Sequence, residues 1–151
     1  MSQYEGKFGF AERAIEFYRK TKEAGLTKEY EFTSVVGTLL NVFSCVFSER
    51  RFDCSGKEVS EILESLLRDS KNIPPHFNGH NVEELRKYFK NIRDGLAHKT
   101  KENFGSRKNE QNEIVKIKIA SDANSEGIKF SLPDLEKILE LLENGIKKFK
   151  E

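Results

Sequence analysis

The sequence contains no tryptophan, one methionine, two cysteines and three prolines among 151 residues. Two cysteines, Cys45 and Cys54, supply neither the ligand set of a structural zinc site nor a disulfide framework. The chain must therefore be held by its core, and at this length a single domain spanning residues 1–151 can bury one without staples. Long apolar runs are missing too. The longest, VVGTLLNVFSCVF, is 13 residues and includes Asn41 and Ser44, short of the ~20 that a membrane span needs. It reads as a buried helix, and no membrane partner is expected. No secretory signal is evident, so a cytoplasmic location is expected. Charge of one sign is also lacking. Net charge is +1 although charged residues make up 34%, so any attraction for a polyanion must come from a local patch. A mean hydropathy of −0.64 completes a charge-rich, helix-favouring composition.

What is present is mostly helical periodicity. Phe10, Ala14, Phe17, Tyr18 and Thr21 predict a helix from Phe8 to about Ala24, with Gly25 as its C-terminal cap. A second helix is predicted from about Lys28 to Arg50. On it Gly37, Asn41, Ser44 and Ser48 form a small or polar seam that would let another helix come close. Ser55 with Glu58 makes a capping box for a third helix through about Ser70, buried through Val59, Ile62, Leu63, Leu66 and Leu67. Residues 71–80, KNIPPHFNGH, are a linker, since Pro74, Pro75 and Gly79 exclude regular helix. His76 and His80 lie four apart in it, a spacing that favours metal only on a helix, and no metal site is expected.

The fourth helix carries the chemistry. Asn81 is a good N-cap, and Glu84 three residues on completes a capping box. Val82, Leu85, Phe89, Ile92 and Leu96 then form one apolar stripe. Lys87, Asn91, Asp94 and His98 fall away from it, with Arg93 at its border. At about 100° per residue, Arg93 and His98 point roughly 140° apart, whereas Asp94 and His98 are neighbours. Arg93 and His98 can meet if Gly95 and the helix end bend, if the arginine reaches round, or if a second copy brings its helix alongside. In the last case a two-fold axis gathers two Arg and two His around one cleft.

Arginine cannot lose its proton and offers a planar fork of donors to phosphate oxygens. Histidine can act as acid or base near neutrality. Together they suit proton transfer beside a phosphate without a metal, with Asp94 orienting either. Between residues 86 and 108, eight cations stand against two acids, which makes Lys87, Lys90, Lys99, Lys101, Arg107 and Lys108 candidates for contacting a phosphate-bearing ligand. Asn41 and Asn91 are candidates for supporting the site from behind.

The segment IRDGLAH, with its place late in a helix and one further helix after it, resembles the Arg-x-x-x-x-His signature of HEPN domains (higher eukaryotes and prokaryotes nucleotide-binding). The resemblance implies a helical bundle, a homodimer with the motif helices at the interface, and metal-independent endoribonuclease activity needing no cofactor. Many such members are prokaryotic toxins or antiviral effectors, and an antitoxin or regulatory protein would then be a partner. Carried over, the catalytic residues are Arg93, Asp94 and His98. Some members have a tyrosine two residues after the histidine that a partner enzyme adenylylates; Thr100 stands there in this chain, which argues against that control. The alternative is a HEPN-like module that binds nucleotide or a partner without cutting. A third reading, a purely structural domain, would show Arg93 held in an intramolecular salt bridge.

After the motif, KTKENFGSRKNEQN reads as a polar, basic, mobile loop. EIVKIKI (113–119) and GIKFSL (127–132) alternate as two strands of a small β-hairpin, with Ile117, Ile119, Ile128 and Phe130 facing the helices. Pro133 opens a last helix to about Lys150, buried through Leu135, Ile138, Leu139, Leu142 and Ile146. The expected fold is all-α dominated: about five helices, with the hairpin before the last.

Overall fold

A computed structural model describes residues 6–26, 30–46, 57–68, 73–97, 104–111, 114–121 and 124–150. Five helices surround one core: α1 (Gly6–Glu23), α2 (Glu31–Val46), α3 (Lys57–Leu67), α4 (Val82–Ala97) and α5 (Leu132–Lys150). Between α4 and α5 lies an antiparallel sheet of β1 (Phe104–Lys108), β2 (Ile114–Ser121) and β3 (Asn124–Phe130), in that order.

The helix ends follow from local chemistry. Gly25, at φ 75°, ends α1, and the Gly25 and Leu26 amides donate to the Lys22 and Thr21 carbonyls, each at 3.0 Å. Those paired bonds satisfy carbonyls that the helix end would otherwise strand. Asn81 caps α4 as its side chain requires: the Glu84 amide donates to Asn81 Oδ1 at 2.9 Å, and Asn81 Nδ2 donates back to Glu84 Oε1 at 2.9 Å. The residues 47–56, which include Ser55, lie outside the description. A reciprocal pair opens α5. There the Ser131 amide donates to Asp134 Oδ2 at 3.0 Å and the Asp134 amide to Ser131 Oγ at 3.3 Å.

The core is wider than the sequence stripes. On α5, Leu141 is as buried as Leu135, Ile138, Leu142 and Ile146, because α5 packs against α1, α2 and α3 together. Each such side chain contributes about 1.5–3 kcal/mol by leaving water. On α4, Tyr88 and Gly95 join Leu85, Phe89, Ile92 and Leu96 in the buried face. Glu143, facing α1, is buried at 8% side-chain exposure. Arg19 grips it with two contacts, 2.7 and 2.9 Å, and Lys147 stands at 3.8 Å. Nearby, Tyr18 donates to Glu136 at 2.9 Å, and Lys22 reaches the same carboxylate. Burial first, then that carboxylate, push the Tyr18 phenol well above its usual range.

Two expectations change, and the linker, read correctly as non-helical, gains detail. The segment read as a mobile loop contains β1, which pairs with β2 from Phe104↔Ile119 to Lys108↔Ile114. Gly105 and Ser106 have little strand preference of their own; pairing along β2 places them. The hairpin is thus a three-stranded meander. The Gly37, Asn41 and Ser44 seam faces outward, and among the described residues, beyond the helix's own neighbouring backbone, nothing lies within 4 Å of a Cβ built on Gly37. Ser48 lies outside the described residues. The linker, in its described part, is pinned. Tyr88 donates to the Pro75 carbonyl at 2.7 Å, the Phe77 and Tyr88 rings meet edge to face, and His76 Nε2 lies 3.2 Å from Asp134 Oδ2. His76 holds φ 63°, a left-handed conformation costly for a side-chain-bearing residue.

Candidate functional site

The site is built on the last turns of α4. Ile92 and Leu96 are buried there, so Arg93 and Asp94, the next residues round the helix, are carried to the edge of the core. Their side chains are 27% and 32% exposed, and Arg93 Nη1 lies 3.1 Å from Asp94 Oδ1. The pair joins sequence neighbours and leaves the carboxylate and guanidinium together at the surface. Asn91 is half-buried on the same helix. His98, Lys99 and Lys101 lie outside the described residues.

The structure brings Arg93 and Asp94 together and separates others. Asn41 is exposed on α2, and among the described residues no hydrogen bond joins it to Arg93 or Asp94. Lys87 and Lys90 are exposed on α4, and Arg107 and Lys108 on β1. Arg86, which belongs to the same basic stretch, is tied down: Nη1 donates to Glu83 Oε2 at 2.8 Å and Nη2 to Ser60 Oγ, while Nε is buried with no hydrogen bond.

The sheet adds cations that the motif did not point to. Arg107 pairs with Lys116, and Lys118 pairs with Lys129. Paired residues share a face and alternate residues along a strand return to it. Ile117 and Ile119, between and beyond the lysines of β2, are buried, as is Phe130. Arg107, Lys116, Lys118 and Lys129 therefore stand together on the outer face. The signal was in the alternation of EIVKIKI and GIKF, but only the register shows that the charges meet.

Comparison of the chain with family models, curated proteins and solved structures returned no match. The site is accordingly read from its own geometry.

Two surface depressions stand out. One is lined by Glu61, Glu64, Ser65, Arg68 and Lys148, the other lies between α1 and α5 beside Tyr18, Arg19, Lys22 and Glu136. Neither is lined by Arg93 or Asp94. Among the described residues no three His, Cys, Asp or Glu side chains gather as a metal site, and no helix is long and apolar enough to cross a membrane. Cys45 packs partly buried against the core, and burial pushes its thiol up.

Proposed function

We propose that this chain is a metal-independent endoribonuclease whose site is completed when two copies bring their α4 ends together. The observation that carries the reading is the Arg93–Asp94 pair, half-exposed at 3.1 Å on the turn of α4 that leads toward His98. A guanidinium held at the partly exposed edge of the core suits a phosphate better than one in a fully buried ion pair. The same contact is the sign expected of a purely structural domain, an arginine held in an intramolecular salt bridge, and cleavage decides between the two readings.

In the proposed reaction one His98 takes the proton of a ribose 2′-OH and the oxygen attacks the adjacent phosphorus. The 5′-oxygen leaves with a proton from the second His98, giving a 2′,3′-cyclic phosphate and a 5′-hydroxyl. Arg93 offsets the charge that builds on the phosphoryl oxygens, and Asp94 orients it. The resemblance to HEPN domains supports this reading and, with it, a role as a cytoplasmic prokaryotic toxin or antiviral effector answering to an antitoxin or regulatory protein.

The test is digestion of total cellular RNA in EDTA by the wild type, His98→Ala and Arg93→Ala, with folding checked by circular dichroism. Loss of cutting by about 10²–10⁴-fold in the folded variants is expected. Cutting by all three would remove both residues from the chemistry. Binding of RNA with no cutting by any would favour the non-catalytic nucleotide- or partner-binding module.

A further inference from the structure

Among the described residues, the outer face of the sheet gathers four cations. Arg107, Lys116 and Lys129 are exposed and Lys118 is half-buried. None of the four forms an ion pair among the described residues, in contrast to the ion-paired Arg19, Lys20 and Lys22 of α1. The three strands read FGSRK, IVKIKIAS and NSEGIKF, so Glu126 is the one acid in them, and it lies beyond Gly127. Gly127, at φ 75°, marks the point where the β2–β3 register shifts between Ile119 and Ser121. A side chain there would fall 2.9 Å from Lys118 Cε, so the absence of one leaves the Lys118 stem room to lie flat across the sheet.

The spacing suits a linear polyanion. Paired cations on adjacent strands are about 4.8 Å apart at the backbone, and Lys116 and Lys118 are about 7 Å apart along β2. Running from Arg107 through β2 to Lys129, the four form a diagonal across the sheet, matched to consecutive phosphates of one nucleic-acid strand. Opposite faces of β2 do different work, since Ile117 and Ile119 pack inward and β2 lies against α4, the helix that carries Arg93. The basic face is thus the outer side of the sheet whose inner side packs on α4.

We propose that this face is a docking surface for the sugar–phosphate backbone of single-stranded RNA, holding substrate that α4 acts on. The proposal rests on the reading of the chain as an RNA-processing protein and names the surface that captures its substrate. An anionic membrane fits less well. Among the described side chains, the exposed large apolar ones, Phe10, Phe17, Leu26, Tyr30 and Ile73, all lie outside the strands, so this face exposes none of them to insert among lipids. No described aromatic ring lies exposed on it either, so contact is with phosphates and is independent of sequence.

The experiment measures binding separately from cutting. A fluorescent 2′-O-methyl oligoribonucleotide has no 2′-OH and cannot be cleaved by the proposed route. Its anisotropy is followed with wild type, Lys118→Glu/Lys129→Glu, and a control of equal charge change, Lys20→Glu/Lys148→Glu, over about 50–200 mM salt. Four phosphate contacts give a log–log salt slope near −2.8 for a single strand. The sheet variant is expected to bind at least about tenfold more weakly, with a slope shallower by about 1.4, while the control stays near wild type. The milder Lys116→Gln/Lys129→Gln pair covers the case in which charge reversal unfolds the sheet. Equal weakening in sheet and control variants, no weakening in either, or no binding by wild type overturns the proposal. So does lysine-dependent binding to phosphatidylserine vesicles when RNA shows none. Failure of RNA cleavage with sheet-dependent binding intact would instead count against the chemistry assigned to Arg93 and His98.

Discussion

Replacing glycine by alanine should have opposite effects at two helical positions of this protein. Alanine favours an exposed helix interior by up to about 1 kcal/mol over glycine. At Gly37 on α2 a built Cβ meets nothing within 4 Å, so Gly37→Ala should stabilise by about 0.5–1 kcal/mol. At Gly145 on α5 the same atom lies 2.7 Å from Ile62 Cγ2 and 3.5 Å from Leu66 Cδ2. Ile62 is fully buried and Leu66 nearly so, and the methyl that clashes sits on a β-branch with little rotamer freedom. Overpacking of this kind costs about 1–3 kcal/mol, which exceeds the propensity gain. Gly145→Ala should therefore destabilise by about 1 kcal/mol and lower Tm by roughly 2–4 °C for a chain of this size. Urea denaturation of both variants reads the two signs directly. Ile62→Leu removes the offending γ-methyl, so in the double mutant the alanine should cost less than it does alone, with a coupling of at least ~0.5 kcal/mol. A Gly145→Ala protein as stable as wild type, or a strictly additive double mutant, would refute a close α3–α5 approach at this point.

Arg19→Met should destabilise by about 1–3 kcal/mol in denaturant melts, because Glu143 keeps its buried position and loses its two-point partner; Arg19 is itself half-exposed, so the loss falls below that of a fully buried pair. Tyr88→Phe leaves the Pro75 carbonyl without its donor, for a cost of about 1 kcal/mol and faster hydrogen exchange in residues 73–80. Asp134 gives a pH dependence. Its partial burial pushes the carboxyl up, but the Ser131 amide and hydroxyl and the His76 ring outweigh that and hold it below its usual value. A depressed folded pKa means that the stabilisation is complete above the unfolded value, about 4, and is lost as pH falls through the lower folded value. The stability gap between wild type and Asp134→Asn should accordingly be full at neutral pH and close in acid; a gap that widened in acid would contradict the assignment.

The helices were legible because their signals are local. Asn81 and Glu84 announce α4 by chemistry that needs no tertiary partner, and Gly25 ends α1 for the same reason. What escaped depends on neighbours. β1 has two residues with poor strand preference and exists through its register with β2. Tyr88 has an amphipathic side chain, and nothing in its spacing says that its hydroxyl will find the Pro75 carbonyl. Leu141 looks redundant on a one-sided helix and becomes core only because α5 is covered by three others. At the site, the position of Arg93 at the border of the apolar stripe could be read from angles alone, whereas Asp94, read as lying away from the stripe, is also partly buried beside it. The union of Arg107, Lys116, Lys118 and Lys129 could not, since it requires strand pairing between distant segments.

Among the described residues β1 is an edge strand, five residues long, paired with β2 on one side only, which leaves a row of backbone donors and acceptors on the other. Such an edge invites pairing with the edge of another molecule and, from there, fibres. Here its register breaks between Arg107 and Lys108, and both cations stand exposed at the break. A second β1 arriving edge to edge would have to bring like charges together across an irregular ladder. Colloidal behaviour and the proposed RNA docking thus draw on the same side chain, Arg107. Neutralising it to study either property would alter the other, and a variant that precipitates on loss of this charge would be showing edge pairing, with the helical core still folded beneath it.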